Sequence, residues 1–289
     1  MKHELVTVII PTHNRALTIE RSIDSILEQL HKEVEIIVID DNSEDNTEEI
    51  ITSYRESRII YLRNETNIGA QGSRIRGMKI ANGTYVAFLD SDDELTENSI
   101  TSRISALKLS GYSDALVYGR FLFRSKKDVE SNFERINGNA YKRILKNLSL
   151  CGYPAILVTK NCIDVAGFPS PEFPSWQDDD FVLTIAKHFP VVYCDEVVAV
   201  IYQSDKSIVK NPQIVILGCQ MITRKYRNEI VKSLGLHYVL LWKIRLVRLR
   251  LLQEVSIRQY ANSIDVVILR AFLRVVNWIL KPFFTRIFT

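Results

Sequence analysis

Over the first 95 residues, short continuous apolar runs alternate with stretches in which apolar residues recur every three or four positions. Leu5-Val-Thr-Val-Ile-Ile10, Val34-Glu-Ile-Ile-Val-Ile39, Arg58 to Leu62 and Thr84-Tyr-Val-Ala-Phe-Leu89 are rich in β-branched and aromatic types, the pattern of buried strands. Pro11 is expected to close the first of them, because it has no N–H to give to a ladder. Between the strands, Ile19, Ile23, Ile26, Leu27 and Leu30 form a helical stripe. A short helix is expected from Glu48 to Tyr54, and another between the Asn67-Ile-Gly69 turn and Asn82-Gly83. Strands alternating with helices at this spacing predict right-handed crossovers and a mostly parallel α/β sheet flanked by helices.

Beyond Leu95 the pattern loosens. A helix is expected from Ser99 to Leu109, with strands at Asp114–Tyr118, Phe121–Phe123, Ala155–Val158, Val191–Cys194 and Val197–Tyr202. The polar stretch from Arg124 to Gly138 reads as a loop. Three prolines between 169 and 174 exclude helix there, and that irregular segment delivers Trp176-Gln-Asp178-Asp179-Asp180-Phe181 to the start of a helix running to Phe189.

Ligands of parallel α/β sheets bind outside the carboxyl ends of the strands. Pro11 to Arg15, Asp40 to Ser43 and Asp90-Ser-Asp92-Asp93 all sit at such ends. In an extended chain Asp90 and Asp92 share a face, and two carboxylates so close call for a cation or a proton between them. Hard divalent ions accept such oxygens, and Mg²⁺ commonly combines one or two protein carboxylates with substrate phosphates. A solvated acidic turn capping the next helix, through Asp93 or Glu94, is the competing reading, as helix capping is for Asp40-Asp41 and for Asp178 to Asp180. Arg74 and Arg76 are equally placed by sequence, and His13 reads as a pocket wall.

Composition changes little of this in the body and much at the end. With 46% hydrophobic and 25% charged residues the chain is an ordinary globular one. Four scattered cysteines without a C-x-x-C pair imply reduced thiols and no zinc site, and no 18-residue apolar run predicts a spanning helix. The formal charge of +3 is divided unevenly: nine Lys/Arg against two acids from Gly235 onward give +7, leaving −4 before it. Arg270, Arg274, Asn277 and Lys281 fall within about 60° on a helical wheel, with Trp278 and Phe283-Phe284 on the wide apolar remainder. Such a basic amphipathic helix suits a membrane interface with anionic headgroups; packing on protein, as in a homo-oligomer, is the competing use. Nucleic acid is not an expected partner, since the cations are interleaved with aliphatic residues.

Five motifs in order resemble the family 2 inverting glycosyltransferases, which use nucleotide sugars on the Rossmann-like GT-A fold. They are Val8-Ile-Ile-Pro11-Thr-His-Asn-Arg15, Ile39-Asp-Asp41-Asn-Ser, Asn67-Ile-Gly69 followed by Arg74, Asp90-Ser-Asp92, and the acidic triplet at 178–180. The resemblance spans residues 5–205 and implies a GT-A catalytic domain over 1–210, with a nucleotide-binding half at 1–95 and an acceptor half at 96–210, before a helical extension at 211–289. It implies a nucleotide pocket of Pro11, Thr12, Asn14, Arg15, Asp41, Asn67, Gly69, Arg74, Asp90 and Ser91, with Asp41 accepting from a uracil N–H. Asp92, with Asp90, would hold Mn²⁺ or Mg²⁺. Asp178 would be the base, with Asp179 as runner-up, and Trp176 and Tyr153 would face the acceptor. Where many relatives carry Tyr-Arg-x-His, this chain has Tyr202-Gln-Ser-Asp205, so one metal ligand of the pattern is missing. The expected activity is metal-dependent transfer of a sugar from a UDP-sugar to a hydroxyl of a glycan, lipid-linked by inference from the tail, in bacterial cell-surface polysaccharide synthesis. The expected location is the cytoplasm, peripheral on the inner face of the membrane. A non-catalytic nucleotide-sugar binding or scaffold protein on the same fold is the alternative.

Overall fold

The computed structural model describes residues 4–124, 128–147, 150–202 and 211–235. The chain divides into two compact units, Met1–Lys210 and Asn211–Thr289. In the first unit the order is β1 (Val6–Thr12), α1 (Ile19–Leu27), β2 (Val34–Asp40), α2 (Thr47–Ser53), β3 (Ile59–Arg63), α3 (Gly69–Ile80), β4 (Tyr85–Phe88), β5 (Glu94–Leu95) and α4 (Ser99–Ser110). Then follow β6 (Leu116–Arg124), β7 (Val129–Glu130), α5 (Tyr141–Asn147), a 3₁₀ turn (Tyr153–Ala155), β8 (Ile156–Thr159), α6 (Lys160–Ala166), α7 (Gln177–Ala186) and β9 (Val191–Tyr202). In the second unit, α8 (Pro212–Lys225) starts where the Asn211 side chain accepts from the N–H groups of Gln213 and Ile214, and α9 (Arg227–Leu234) follows. The tail segments read as basic and amphipathic, with Asp205, lie outside the described residues. Among the described residues, no helix is long and apolar enough to cross a membrane.

One sheet runs β3-β2-β1-β4-β8-β6-β9-β5, with β7 beside β6. Its first four strands are parallel. Every residue of β1 is buried, as a strand covered on both faces must be. β8 runs antiparallel to both β4 and β6, and β6 and β9 are parallel to each other. The parallel half is therefore as expected, while the later half is mixed. These directions decide where the site lies. The carboxyl ends of β1, β2, β4, β6 and β9 share one rim with the amino end of β8, and the strand order reverses beside β1, at the switch between β2 and β4.

Several boundaries differ from expectation for identifiable reasons. Pro11 does not close β1, which continues to Thr12 and pairs with Ile39 and Asp40. Pairing with β4 ends at Ile9 and Phe88, and Leu89 N–H donates to Ile9 O, so the missing proline N–H faces the side on which that ladder has already stopped. The two strands expected at 114–118 and 121–123 are one, β6, with register irregularities around Arg120, and those at 191–194 and 197–202 merge into β9. Leu30 lies beyond the end of α1 and is 53% exposed. The loop read at 124–138 includes β7, and α5 and α6 carry no signal strong enough to have been read. Gly77 is fixed by packing: a Cβ there would lie 2.6 Å from Ile9 Cγ2, so glycine lets α3 settle on β1.

Candidate functional site

The rim carries a cleft of about 750 Å³. Pro11, Thr12, His13, Asn14 and Arg15 reach it from the end of β1, Asp41 from β2, and Asp90 to Asp93 from β4. Ala70 and Arg74 enter from α3, Phe121 from β6, Tyr153 from the turn before β8, Trp176 to Asp178 from the start of α7, and Tyr202 from β9. Of the residues expected in the site, Asn67, Gly69 and Asp179 do not line the cleft. The first two shape it instead: Gly69, at φ +80°, opens α3 in a conformation suited to glycine, and its N–H donates to both Asp41 Oδ2 (2.7 Å) and Asn67 Oδ1 (3.1 Å).

Asp41 is 3% exposed and does two jobs. Its Oδ1 accepts from Asn64 Nδ2 and the N–H of Ile68, each at 2.8 Å, and its Oδ2 accepts from Gly69. It is thus a cap for α3, donated from a neighbouring strand, and not a cap for α2. A carboxylate has about four acceptor positions, so Oδ2 retains one, on a residue that lines the cleft. Asp40 is purely structural, accepting from Tyr61 Oη and the N–H of Ser43.

The residues after β4 do not stay extended. Asp93 N–H donates to Asp90 O at 3.0 Å, closing a turn, so the shared face expected for Asp90 and Asp92 is replaced by two separate guanidinium pairings. Arg74 pairs with Asp90, and Arg15 with Asp92 at 3.2 Å. The two carboxylates still feel each other. Burial raises the Asp92 pKa above the ordinary range; Arg15 opposes this and the Asp90 charge adds to it. Asp93 is raised to about 8, first by burial and then by Asp90, against a 2.9 Å hydrogen bond from Tyr202 N–H.

Among the described residues no group of three or more His, Cys, Asp or Glu forms a metal cluster. The donor set nevertheless fits a hard divalent ion of the kind that takes one or two carboxylates and completes its shell with diphosphate and water. Asp92 and Asp90 line the open cleft, and the neighbouring charge that raises Asp92 is the repulsion a cation relieves.

Arg74, not Arg76, faces the site. Its side chain is almost wholly buried, with the guanidinium 4.2 Å above the Tyr153 ring, whereas Arg76 donates to Arg63 O and Asn64 Oδ1. Burial opposes the charge of Arg74, but Asp90 and its other neighbours outweigh it and hold the pKa above the usual value.

The acidic triplet resolves into three roles. Asp180 is fully buried and accepts from Ser170 N–H at 2.7 Å. Asp179 is buried and does not line the cleft. Asp178 is half-buried and lines the cleft. Burial raises its pKa; Asp179 N–H and Arg74 work against the rise, and Asp90 reinforces it. The preceding Trp176 sits at φ +60°; the other non-glycine residues of positive φ among the described residues are Asn14, which also lines the cleft, and Asn42. Asparagine tolerates that region, but tryptophan there costs about 1–2 kcal/mol. Strain of this kind persists where surrounding contacts fix the chain.

The motifs did not reveal Gln71, Gln177, Phe121, Ile201 or Tyr202. Phe121, Ile201 and Tyr202 were recoverable from the rule that carboxyl ends of strands meet the ligand, had the direction of β6 and β9 been known. Gln71 and Gln177 carry no charge signal.

The sequence profile of Glycosyl transferase family 2 matches residues 7–156. The chain is 30% identical to the Escherichia coli protein UDP-Glc:alpha-D-GlcNAc-diphosphoundecaprenol beta-1,3-glucosyltransferase WfgD, covering 78% of both chains. It is 34% identical to a second Escherichia coli enzyme of the same description, WfaP, over 62% of this chain and 68% of that one. The crystal structure of S. aureus TarS 1-349 in complex with UDP-GlcNAc superimposes with a TM-score of 0.65 at 20% identity, covering 81% of this chain and 69% of that one. At that identity the likeness speaks for the fold, and it is the GT-A fold expected from the motifs.

Proposed function

The chain belongs to glycosyl transferase family 2, and we propose that it transfers a sugar, with inversion, from a UDP-sugar to a hydroxyl of a lipid-linked glycan in bacterial cell-surface polysaccharide synthesis. The observation that carries this reading is the placement of Asp178 in the same cleft as Arg15, Arg74, Asp90 and Asp92, near enough to Arg74 and Asp90 for their charges to act on it. The named activities of the two E. coli relatives support a UDP-sugar donor and a diphosphoundecaprenol-linked acceptor, with UDP-glucose the first donor to test.

In this reading the spare acceptor position of Asp41 Oδ2 receives the uracil N–H, between Pro11, Thr12 and Asn14. Arg15 and Arg74 exchange part of their carboxylate pairing for the donor diphosphate, a task suited to planar guanidinium groups. Asp92 and Asp90 would hold Mn²⁺ or Mg²⁺. When bound there, such an ion would supply Lewis-acid stabilisation of the negative charge on the departing nucleotide. Asp178, ionised, takes the proton from the acceptor hydroxyl as its oxygen bonds to the anomeric carbon. The bond to the diphosphate oxygen breaks on the opposite side, and that geometry inverts the anomeric configuration. Trp176 and Tyr153 border the acceptor side.

The basic, amphipathic sequence from Gly235 onward would lie at the membrane face where a lipid-linked acceptor resides. The test is nucleotide release from a panel of UDP-sugars with Mn²⁺ or Mg²⁺, with and without lipid-linked acceptor. The reading expects release to need acceptor and metal and to disappear in Asp92→Ala and Asp178→Ala. Donor binding without turnover under all conditions would contradict it.

A further inference from the structure

Gln177 is the first residue of α7, one position before Asp178, and its side-chain amide is engaged at both ends. Oε1 accepts from Arg74 Nη1 at 3.0 Å, and Nε2 donates to Phe173 O at 2.7 Å. Its backbone carbonyl lies 3.4 Å from each of two potential donors, Gln71 Nε2 and Tyr153 Oη. Those two donors are themselves joined, Tyr153 Oη donating to Gln71 Oε1 at 2.9 Å. Arg74 completes the cluster, holding Asp90 with its second terminal nitrogen while lying over the Tyr153 ring.

This network joins parts of the chain about a hundred residues apart. Gln71 and Arg74 belong to α3 and Asp90 follows β4, all in the nucleotide half, while Gln177 opens the helix that carries the acidic triplet. An amide is the chemical type the place requires, because it must accept from a guanidinium and donate to a carbonyl at once. The register of α7 matters more than that of an ordinary helix. Asp178, Asp179 and Asp180 are adjacent and point about 100° apart around the helix, so only Asp178 reaches the cleft and the register of the helix start decides which carboxylate does. The preceding Trp176, at φ +60°, is held in a conformation that would relax if the helix start were released.

We propose that Gln177 is a positioning residue: it locks the start of α7 so that Asp178 faces the cleft, and it couples that placement to donor occupancy through Arg74. This rests on the reading of Asp178 as base and of Arg74 as a diphosphate contact. When the diphosphate fixes the Arg74 guanidinium, Gln177 is fixed with it, and Asp178 is steadied opposite the sugar before the acceptor arrives.

The experiment uses the full chain with Gln177→Met, which keeps the side-chain length and removes both hydrogen bonds, and Gln177→Glu, which keeps the acceptor toward Arg74. Thermal melts and UDP affinity by calorimetry accompany steady-state kinetics and hydrogen exchange of the peptide covering 177–181, with and without UDP and Mn²⁺. The proposal expects kcat of Gln177→Met to fall about 10- to 100-fold, the range for losing a hydrogen bond to a charged group, with UDP affinity within about threefold of wild type. Gln177→Glu should retain more kcat than Gln177→Met. UDP should slow exchange at 177–181 about tenfold in wild type and leave it unchanged in Gln177→Met. Equal protection in both proteins, or kcat within about threefold of wild type, would overturn the proposal, as would a loss of UDP affinity matching the loss of kcat. Wild-type protein that shows the protection but turns over no UDP-sugar would sink the proposed function and leave the coupling standing.

Discussion

Asp178 and Asp179 are adjacent in sequence but only Asp178 lines the cleft, and their substitutions should separate sharply. Asp178→Asn is expected to lower kcat by about 10²- to 10⁴-fold, the usual contribution of a positioned base, while leaving UDP affinity nearly unchanged; Asp179→Asn should cost far less in kcat. Steady-state kinetics beside calorimetry checks both, and equal losses would contradict the assignment. The same residue sets the pH dependence. Burial and Asp90 raise the Asp178 pKa, and the base works only when ionised, so activity is present above that pKa and lost as pH falls through it. The acid limb of kcat/KM should therefore lie above the ordinary aspartate range, and a limb below about pH 4 would contradict the assignment. Metal removal is the third check at these carboxylates. Chelation should abolish nucleotide release, and Mn²⁺ or Mg²⁺ should restore it in wild type but not in Asp92→Ala.

Strands β1, β2 and β4 were legible in the sequence because parallel strands buried on both faces leave nearly unbroken apolar runs, the half-buried edge strand β3 because it keeps the short run Ile59-Ile-Tyr-Leu62, and α1 because its buried face recurs at helical spacing. Helix α3 was harder to read. Its buried face includes Gln71, Ser73 and Arg74, since one side of the helix serves the cleft and not the apolar core. That the Asp90 to Asp93 segment turns instead of extending was legible only as the competing reading of an acidic turn, because the same acidic residues suit an extended carboxylate pair and a turn alike. The directions of β6, β8 and β9 depend on long-range pairing, so the motifs revealed the nucleotide half of the cleft and little of the opposite wall. The packing of α3 on β1 gives a test of its own. Gly77→Ala is expected to destabilise the fold by about 1–3 kcal/mol in denaturant titration, as overpacking does, because its Cβ meets Ile9 with little room to yield. A neutral result would show that helix and strand can separate without cost.

On the proposed function, the acidic body would handle a water-soluble donor and the basic tail would meet the anionic surface in which the proposed acceptor is anchored. Replacing Arg270, Arg274 and Lys281 by Gln removes three cations, and at about 1 kcal/mol each near an anionic surface this should weaken vesicle binding about 100-fold. Co-sedimentation with vesicles containing anionic lipid reads that loss directly; unchanged binding would assign the tail to protein contacts. The most direct test of the whole account is the anomeric configuration of the product. Protein, UDP-glucose, Mn²⁺ and a lipid-linked N-acetylglucosamine acceptor should yield UDP and a β-linked product, resolved by the anomeric coupling in proton NMR, with neither formed by Asp178→Asn. An α-linked product, or full turnover in the absence of the Asp178 carboxylate, would contradict it.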